Sequence, residues 1–390
     1  MRLRTLSLVT LLLVAAVAPV SGAAAVGSNG FEQQTTTTQA QACSFPYSAT
    51  DATGTEVTLD SDPDRIVTLN PSAAQTMWEI GARDEVVGVS QYAAYLDGAA
   101  EKQNVSGPNG ASVERVLAAN PDLVLVPSSS YGASKDRVDQ LRAQGVPVFV
   151  FGEGTSLAYV ANKTERIGRL TGNCEAGAEV ANDVRDSVSQ MRSVLEDEEK
   201  PVGLNYFYGY TSGSNTFIGD VMTTAGLRNG AAEANVSGFA QINDETVVEM
   251  NPEYVVAPEE SPVPANEAWN STTAIREGNV VRVNTNYLQQ PAPRSVDAAE
   301  TIMRAVHPEA YEEYQQIQTG NGTATGSEAS DATAAETTTT VVVDDTPPES
   351  ETEAGTEPET GTETGADSPG FGVLAGLVAL VGAALLAARR

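Results

Sequence analysis

Between residues 65 and 151 the chain alternates short, mainly apolar runs with longer stretches in which apolar positions recur every three or four residues. The runs at 65–70, 86–89, 123–126 and 146–151 are rich in Val, Ile and Leu. Such runs predict strands buried on both faces, the habit of parallel sheets. The same order returns after residue 200, with runs at 202–206, 254–256 and 280–283 and helical spacing between them. Alternation of strand and helix predicts parallel sheets with flanking helices, so the body reads as two α/β/α lobes. From 176 to 195 an unbroken helical pattern puts Val180, Val184, Val188, Met191 and Leu195 on one face. It predicts one long helix that joins the lobes as a stiff connector.

The body also repeats itself. SVERVLAANPDLVLVP at 112–127 aligns without gaps on NDETVVEMNPEYVVAP at 243–258. Both read as a capped short helix, an Asn-Pro break and a buried strand: Ser112 or Asn243 caps, and Pro121 or Pro252 stops the helix. A second echo links Met77-x-x-x-Gly81-x-Arg83 with Met222-x-x-x-Gly226-x-Arg228. Two matches in the same order predict lobes of like construction.

The two ends read as export and anchoring. Arg2 and Arg4 precede an apolar run at 6–20 and small residues at Ala23, Ala24 and Ala25. This is a signal peptide over 1–25, the alternative being an uncleaved N-terminal anchor; either way the body is exported. A polar linker over 26–42 follows. The N-terminal lobe is expected over 43–170, the connecting helix over 171–199 and the C-terminal lobe over 200–320. Cys43 and Cys174, the two cysteines of an exported chain, are expected to form one disulfide. A lipid-modified Cys43 is the rival use, against which Gln41 and Ala42 make a poor lipobox. Residues 321–368, almost devoid of large apolar side chains apart from Val341, Val342 and Val343, form a disordered acidic Thr-rich stalk. Over 369–390 come Pro369, Gly370 and Phe371, an apolar stretch at 372–388 and Arg389-Arg390. That stretch is long enough to cross a bilayer, with the body left outside. The arrangement resembles the PGF-CTERM sorting signal of archaeal surface proteins. The resemblance implies that an archaeosortase removes the helix and a lipid replaces it.

Charge sharpens the exclusions. The chain of 390 residues has 52 acidic and 22 basic side chains and a formal net charge of −30. Twelve of the acids lie at 321–371, and the body from 43 to 320 still carries −21. Such a field repels phosphate backbones, so no nucleic acid is expected as a partner. Only four lysines occur in the whole chain. Low Lys with high Asp and Glu resembles the composition of proteins from salt-loving archaea, where screening makes the charge tolerable. Asn104, Asn162, Asn235, Asn270 and Asn321 each open an N-x-S/T sequon, which fits an exported, glycosylated surface.

The stretch RIVTLNPSAAQTMWEIGARDEVVGVSQYAAY at 65–95 is similar to the opening of helical-backbone periplasmic binding proteins of ABC importers. The similarity is closest to cobalamin-binding members and runs on through VERVLAANPDLVLV and QPAPRSVDAAETIMRAVHP, so it covers residues 57–308. The resemblance implies the helical-backbone fold and a ligand held in the cleft between lobes. The implied cargo is cobalamin or a related corrinoid; an iron siderophore or haem is the alternative cargo of the same family. No cofactor is implied beyond that cargo. An acidic residue on each lobe would dock onto arginines of the paired permease subunits, which work with their ATPase. Glu114 and Glu245 occupy those positions, and they are also equivalent within the internal repeat. Their plainer role is that of solvated first-turn glutamates favouring a helix N-terminus. Around a planar ligand the family places aromatics, here Tyr92, Tyr95, Tyr208, Tyr210 and Phe239. The loop at 211–216 and Arg294 in the Pro-Ala-Pro-Arg turn would add donors. Each single tyrosine could equally be ordinary packing. Pro108 stands where the cobalamin pattern has a pocket tryptophan. The resemblance further implies a monomer at the extracellular face of the cell membrane, anchored at its C-terminus.

His307 is the only histidine. Zinc and manganese sites use several histidines with a carboxylate, so a directly bound metal is not expected. At the end of a helical run and before Pro308, His307 reads as a helix C-cap. The same count removes a Ser-His-Asp or Cys-His triad in most arrangements, and no G-x-S-x-G, P-loop or Gly-rich dinucleotide fingerprint occurs. An enzyme is therefore not expected, the one reading left to that class being a carboxylate-based extracellular hydrolase. The competing class is a structural surface glycoprotein, suggested by the sequons and stalk.

Overall fold

The computed structural model describes residues 43–322. The expected signal peptide, linker, sorting motif and nearly all of the stalk lie outside the described residues. In the N-terminal lobe five parallel strands lie in the order Gln103–Asn104, Val86–Val89, Ile66–Thr68, Leu123–Val126, Val148–Val150. In the C-terminal lobe the order of four parallel strands is Arg228–Asn229, Val202–Asn205, Tyr254–Pro258, Val280–Val283. Leu123–Val126 is buried at every position, as a strand covered on both faces requires. Helices flank both sheets, which gives the two α/β/α lobes.

The internal repeat has a structural meaning. Ser112 caps Val113–Ala118 by accepting from the Arg115 amide, and Asn243 caps Asp244–Met250 by accepting from the Thr246 amide. Val116 and Val247, equivalent in the repeat, are fully buried. Both helices end on an asparagine in the left-handed conformation, Asn120 with φ 47° and Asn251 with φ 43°. Asparagine reaches that region more readily than other residues with a Cβ, and proline at the next position forbids more helix. The second echo ends the same way, with Gly81 at φ 73° and Gly226 at φ 89°. At Gly226 a Cβ would meet the His307 ring at 2.5 Å, whereas at Gly81 it would meet nothing within 4 Å.

The long connecting helix spans Cys174–Val194 and buries Ala181, Val184, Val188 and Met191. It has a close companion in Leu157–Leu170. Their approach depends on two glycines: a Cβ on Gly168 would meet Gly177 Cα at 2.8 Å. Leu157, Val160 and Ala161 of the companion pack with Phe217, Val221 and Met222 of the C-terminal lobe. Its Ile167 and Leu170 join Ile66 and Met77 of the N-terminal lobe. One helix thus serves both cores, because its apolar face is longer than either lobe needs. Each fully buried Val, Leu or Met at this seam stabilises by about 1.5–3 kcal/mol.

Three small antiparallel pairs escape the periodicity reading: Tyr47–Thr50 with Glu56–Leu59, Ser106–Gly107 with Gly110–Ala111, and Tyr210–Ser212 with Phe239–Gln241. Strands of two to four mostly polar residues carry too little alternation to stand out. A disulfide joins Cys43 to Cys174, tying the start of the body to the first turn of the connecting helix. His307 is the C-cap of Ser295–Val306, with its buried ring bonded to the Gly226 carbonyl at 3.1 Å.

Candidate functional site

The loops at the carboxyl ends of parallel strands are where open α/β sheets place ligands. In the N-terminal lobe the first of these leads from Ile66–Thr68 into Pro71–Glu79. Asn70 caps that helix by accepting from the Ala73 amide, and Pro71 occupies its first position, so Ser72, Gln75 and Glu79 are held on a rigid turn. Two of these side chains, Gln75 and Glu79, meet the C-terminal half of the chain. Gln75 accepts from the Arg294 amide at 3.1 Å and donates to the Tyr95 hydroxyl at 2.9 Å. Glu79 accepts from Arg294 Nε at 2.7 Å. The Arg294 guanidinium lies 6.0 Å from the centre of the Tyr287 ring.

Beside them sits Lys163, 5% exposed, whose ammonium donates to Ser72 Oγ at 2.9 Å and to the Pro291 carbonyl at 2.7 Å. No carboxylate pairs with it among the described residues. Burial pulls its pKa down to about 7, since a dry interior disfavours the charged form. Burial likewise pushes the Tyr95 hydroxyl up to about 12, against the Gln75 bond and the field of Arg294. Ser72, Gln75, Glu79, Lys163 and Tyr287 were not among the residues singled out from sequence. One signal was available: Lys163 falls on the apolar face of an amphipathic helix, between Val160 and Ile167.

The expected aromatics divide into three kinds. Tyr210 and Phe239, on paired strands, are stacked with ring centres 5.2 Å apart and planes 7° from parallel. Tyr95 is half-buried at the seam. Tyr92 and Tyr208, one on each lobe, stand 43% and 45% exposed. Tyr92 follows Val86–Val89 on a single turn, Gln91–Ala93. Tyr208 holds a left-handed φ of 46° and donates to the Glu260 carbonyl at 3.1 Å. Tyr92 and Tyr208 leave ring surface open to solvent, although the Tyr208 ring meets Phe207 edge-on with centres 5.0 Å apart, whereas Arg294, expected as a free donor, is engaged by Glu79. The loop at 211–216 contributes Gly213, Ser214, Asn215 and Thr216 to a groove of about 300 Å³ that Thr155 of the N-terminal lobe also lines. A second groove, about 310 Å³, is lined by Pro108 and its neighbours against Arg137 and Gln140. Among the described residues no group of three or more His, Cys, Asp or Glu could hold a metal ion.

Glu114 and Glu245 each occupy the second position of a short helix and are exposed on its first turn. The two helices have the same cap, the same buried valine and the same left-handed exit, so the carboxylates are presented alike by the two lobes.

This architecture, two parallel-sheet lobes bridged by a long helix with a polar seam between them, defines an extracytoplasmic solute-binding protein. Residues 66–287 match the periplasmic binding protein family, and the chain belongs to that family. Residues 368–390 match the PGF-CTERM motif, so this is a surface protein anchored at its C-terminus. A cobalamin-binding protein of Halobacterium salinarum is 43% identical over 282 residues, 68% of this chain and 76% of the relative. The uncharacterized ABC transporter substrate-binding lipoprotein YvrC of Bacillus subtilis is 28% identical over 69% of this chain and 88% of its own length. The periplasmic vitamin B12 binding protein BtuF of Vibrio cholerae superposes with a TM-score of 0.54 at 22% identity, over 65% of this chain and 98% of that one. The periplasmic haem-binding protein RhuT of Roseiflexus does so with 0.56 at 24%, over 65% and 99%. The chain is thus a solute-binding protein of the periplasmic binding protein family, and its composition fits the halophilic archaeal origin that the Halobacterium relative implies.

Proposed function

We propose that this protein captures cobalamin or a related corrinoid in the cleft between its lobes and delivers it to an ABC permease dimer driven by its ATPase. The observation that carries the reading is the 43% identity to the Halobacterium salinarum cobalamin-binding protein over three quarters of that protein. The side chains support it. Tyr92 and Tyr208, exposed on opposite lobes, offer flat apolar faces with polar tips to a planar macrocycle at little entropic cost. The Tyr210–Phe239 stack supplies a third, rigid face. Tyr95 and Arg294 act from behind, since Gln75 and Glu79 already engage them, and hold the seam against which the ligand rests. Glu114 and Glu245 dock the two lobes onto arginines of the paired permease subunits. The protein performs no chemistry on its cargo, works as a monomer, and is processed by an archaeosortase.

The test is a titration of the mature protein at molar salt with cyanocobalamin, haem and a ferric siderophore, followed by tyrosine fluorescence. The expected result is saturable one-to-one quenching by cyanocobalamin, with no turnover. Saturation by haem or the siderophore instead keeps the transport role and changes the cargo. Silence to all three favours a structural surface glycoprotein.

A further inference from the structure

Four of the five N-x-S/T sequons have described side chains, and their asparagines are all exposed. The structure separates them by what the amide and the hydroxyl two residues later are doing. Asn104 accepts from the Ser106 amide at 2.9 Å, and Ser106, 7% exposed, uses its hydroxyl to accept from the Gln91 amide. Asn162 lies within Leu157–Leu170 and accepts from Arg185 Nη2 at 3.0 Å; its Thr164 is fully buried and donates to the Val160 carbonyl. Asn270 donates to the Ala265 carbonyl at 3.3 Å, and its Thr272, 1% exposed, donates to the Trp269 carbonyl at 2.7 Å.

Asn235-Val236-Ser237 differs on every count. Asn235 and Ser237 are both exposed, and neither side chain is held by a hydrogen bond among the described residues. The segment lies outside the helices and longer strands, with Ser237 in a single backbone bridge to Ser214; it leaves Gly230–Glu233 through a left-handed residue (Asn235, φ 61°) and turns again at Gly238, φ 70°. Its backbone is tied down at Val236, whose amide donates to the Ala231 carbonyl at 2.9 Å and whose carbonyl accepts from the Ser214 amide at 2.9 Å. The loop is thus presented in one shape with its amide and hydroxyl unengaged.

We propose that Asn235 is the N-glycosylation site that the folded body offers. The ligand class is an oligosaccharide carried on a lipid phosphate. The Asn235 amide nitrogen attacks the anomeric carbon of the sugar, a C–N bond forms, the C–O bond to the phosphate breaks, and the lipid phosphate leaves with the electron pair while the amide gives up one proton. The Ser237 hydroxyl, free of internal partners, is available to the transferase. At the other three sequons the same contact requires melting a helix or strand that buries the hydroxyl. The inference rests on export of the chain and is independent of its cargo.

The experiment is glycopeptide mass spectrometry on the full-length protein from a halophilic archaeal host that glycosylates its surface proteins, with Asn235→Gln and Ser237→Ala alongside. The expected result is a glycan mass on the Asn235 peptide, bare peptides at Asn104, Asn162 and Asn270, and loss of the mass in both variants. Because both substitutions lie on an exposed loop, cooperative denaturant unfolding that matches wild type serves as the check that the variants are folded. A bare Asn235, glycans at the other three positions, or a glycan that survives Ser237→Ala would each overturn the proposal.

Discussion

Asn120 and Asn251 occupy equivalent positions in the two halves of the repeat and take nearly the same left-handed backbone conformation, φ 47° and φ 43°. Each ends the helix that presents a glutamate to solvent, and each precedes a proline that stops further winding. The two halves of the fold thus share a construction rule that holds Glu114 and Glu245 alike.

That rule has unequal energetics in the two lobes. Alanine at either position pays the left-handed penalty of about 1–2 kcal/mol, whereas glycine does not. The Asn251 side chain has a second task, accepting from the Thr273 amide at 2.9 Å. Asn120→Gly should therefore leave stability within about 0.5 kcal/mol, whereas Asn251→Gly should lose about 1 kcal/mol with its hydrogen bond. Denaturant unfolding at molar salt measures both, and equal effects would contradict the account.

The Cys43–Cys174 bond, across a sequence separation of 131, constrains the unfolded chain strongly. Replacing both cysteines by serine should lower stability by about 3–5 kcal/mol. Equilibrium unfolding with and without reductant checks this: wild type in reductant should match the double variant.

Lys163 predicts a specific pH dependence. Its folded-state pKa, about 7, lies below the ordinary lysine value. Between pH 7 and 10 the unfolded chain therefore binds a proton that the folded chain does not. Stability contributed through this residue rises with pH across that window, with a limiting slope of about 1.4 kcal/mol per pH unit. Lys163→Met removes the difference. Wild type should gain on the variant from pH 7 to 10 and run parallel to it below pH 6; parallel curves throughout would contradict a buried, unpaired ammonium.

Much of this architecture was legible because its signals are long or repeated. The apolar runs gave the seven long strands, the 176–195 pattern gave the connector, and the doubled helix–Asn-Pro–strand segment gave the like lobes. The cleft seam was not legible. Gln75, Glu79 and Lys163 lie far in sequence from Pro291 and Arg294, and nothing local tells that a lysine on an apolar face will find Ser72 Oγ and a carbonyl instead of water. Arg294 stands out in the sequence by its chemistry, but its partner Glu79 does not, because an ion pair between lobes is a property of the packing.

Glu114→Ala with Glu245→Ala should abolish uptake in cells while leaving ligand affinity unchanged. If the two carboxylates served only their own helix N-termini, the double variant would instead lose about 0.5 kcal/mol of stability per site and retain transport. Uptake of labelled ligand beside unfolding curves for the same variant separates the two roles.

The central claim is that aromatic faces from both lobes hold a corrinoid, and equilibrium dialysis of cyanocobalamin against wild type and against Tyr92→Ala with Tyr208→Ala tests it most directly. Loss of two aromatic contacts of about 1 kcal/mol each predicts one ligand bound per wild-type chain and an affinity at least tenfold weaker in the variant. No bound cyanocobalamin in wild type, or equal affinity in the two proteins, would contradict it.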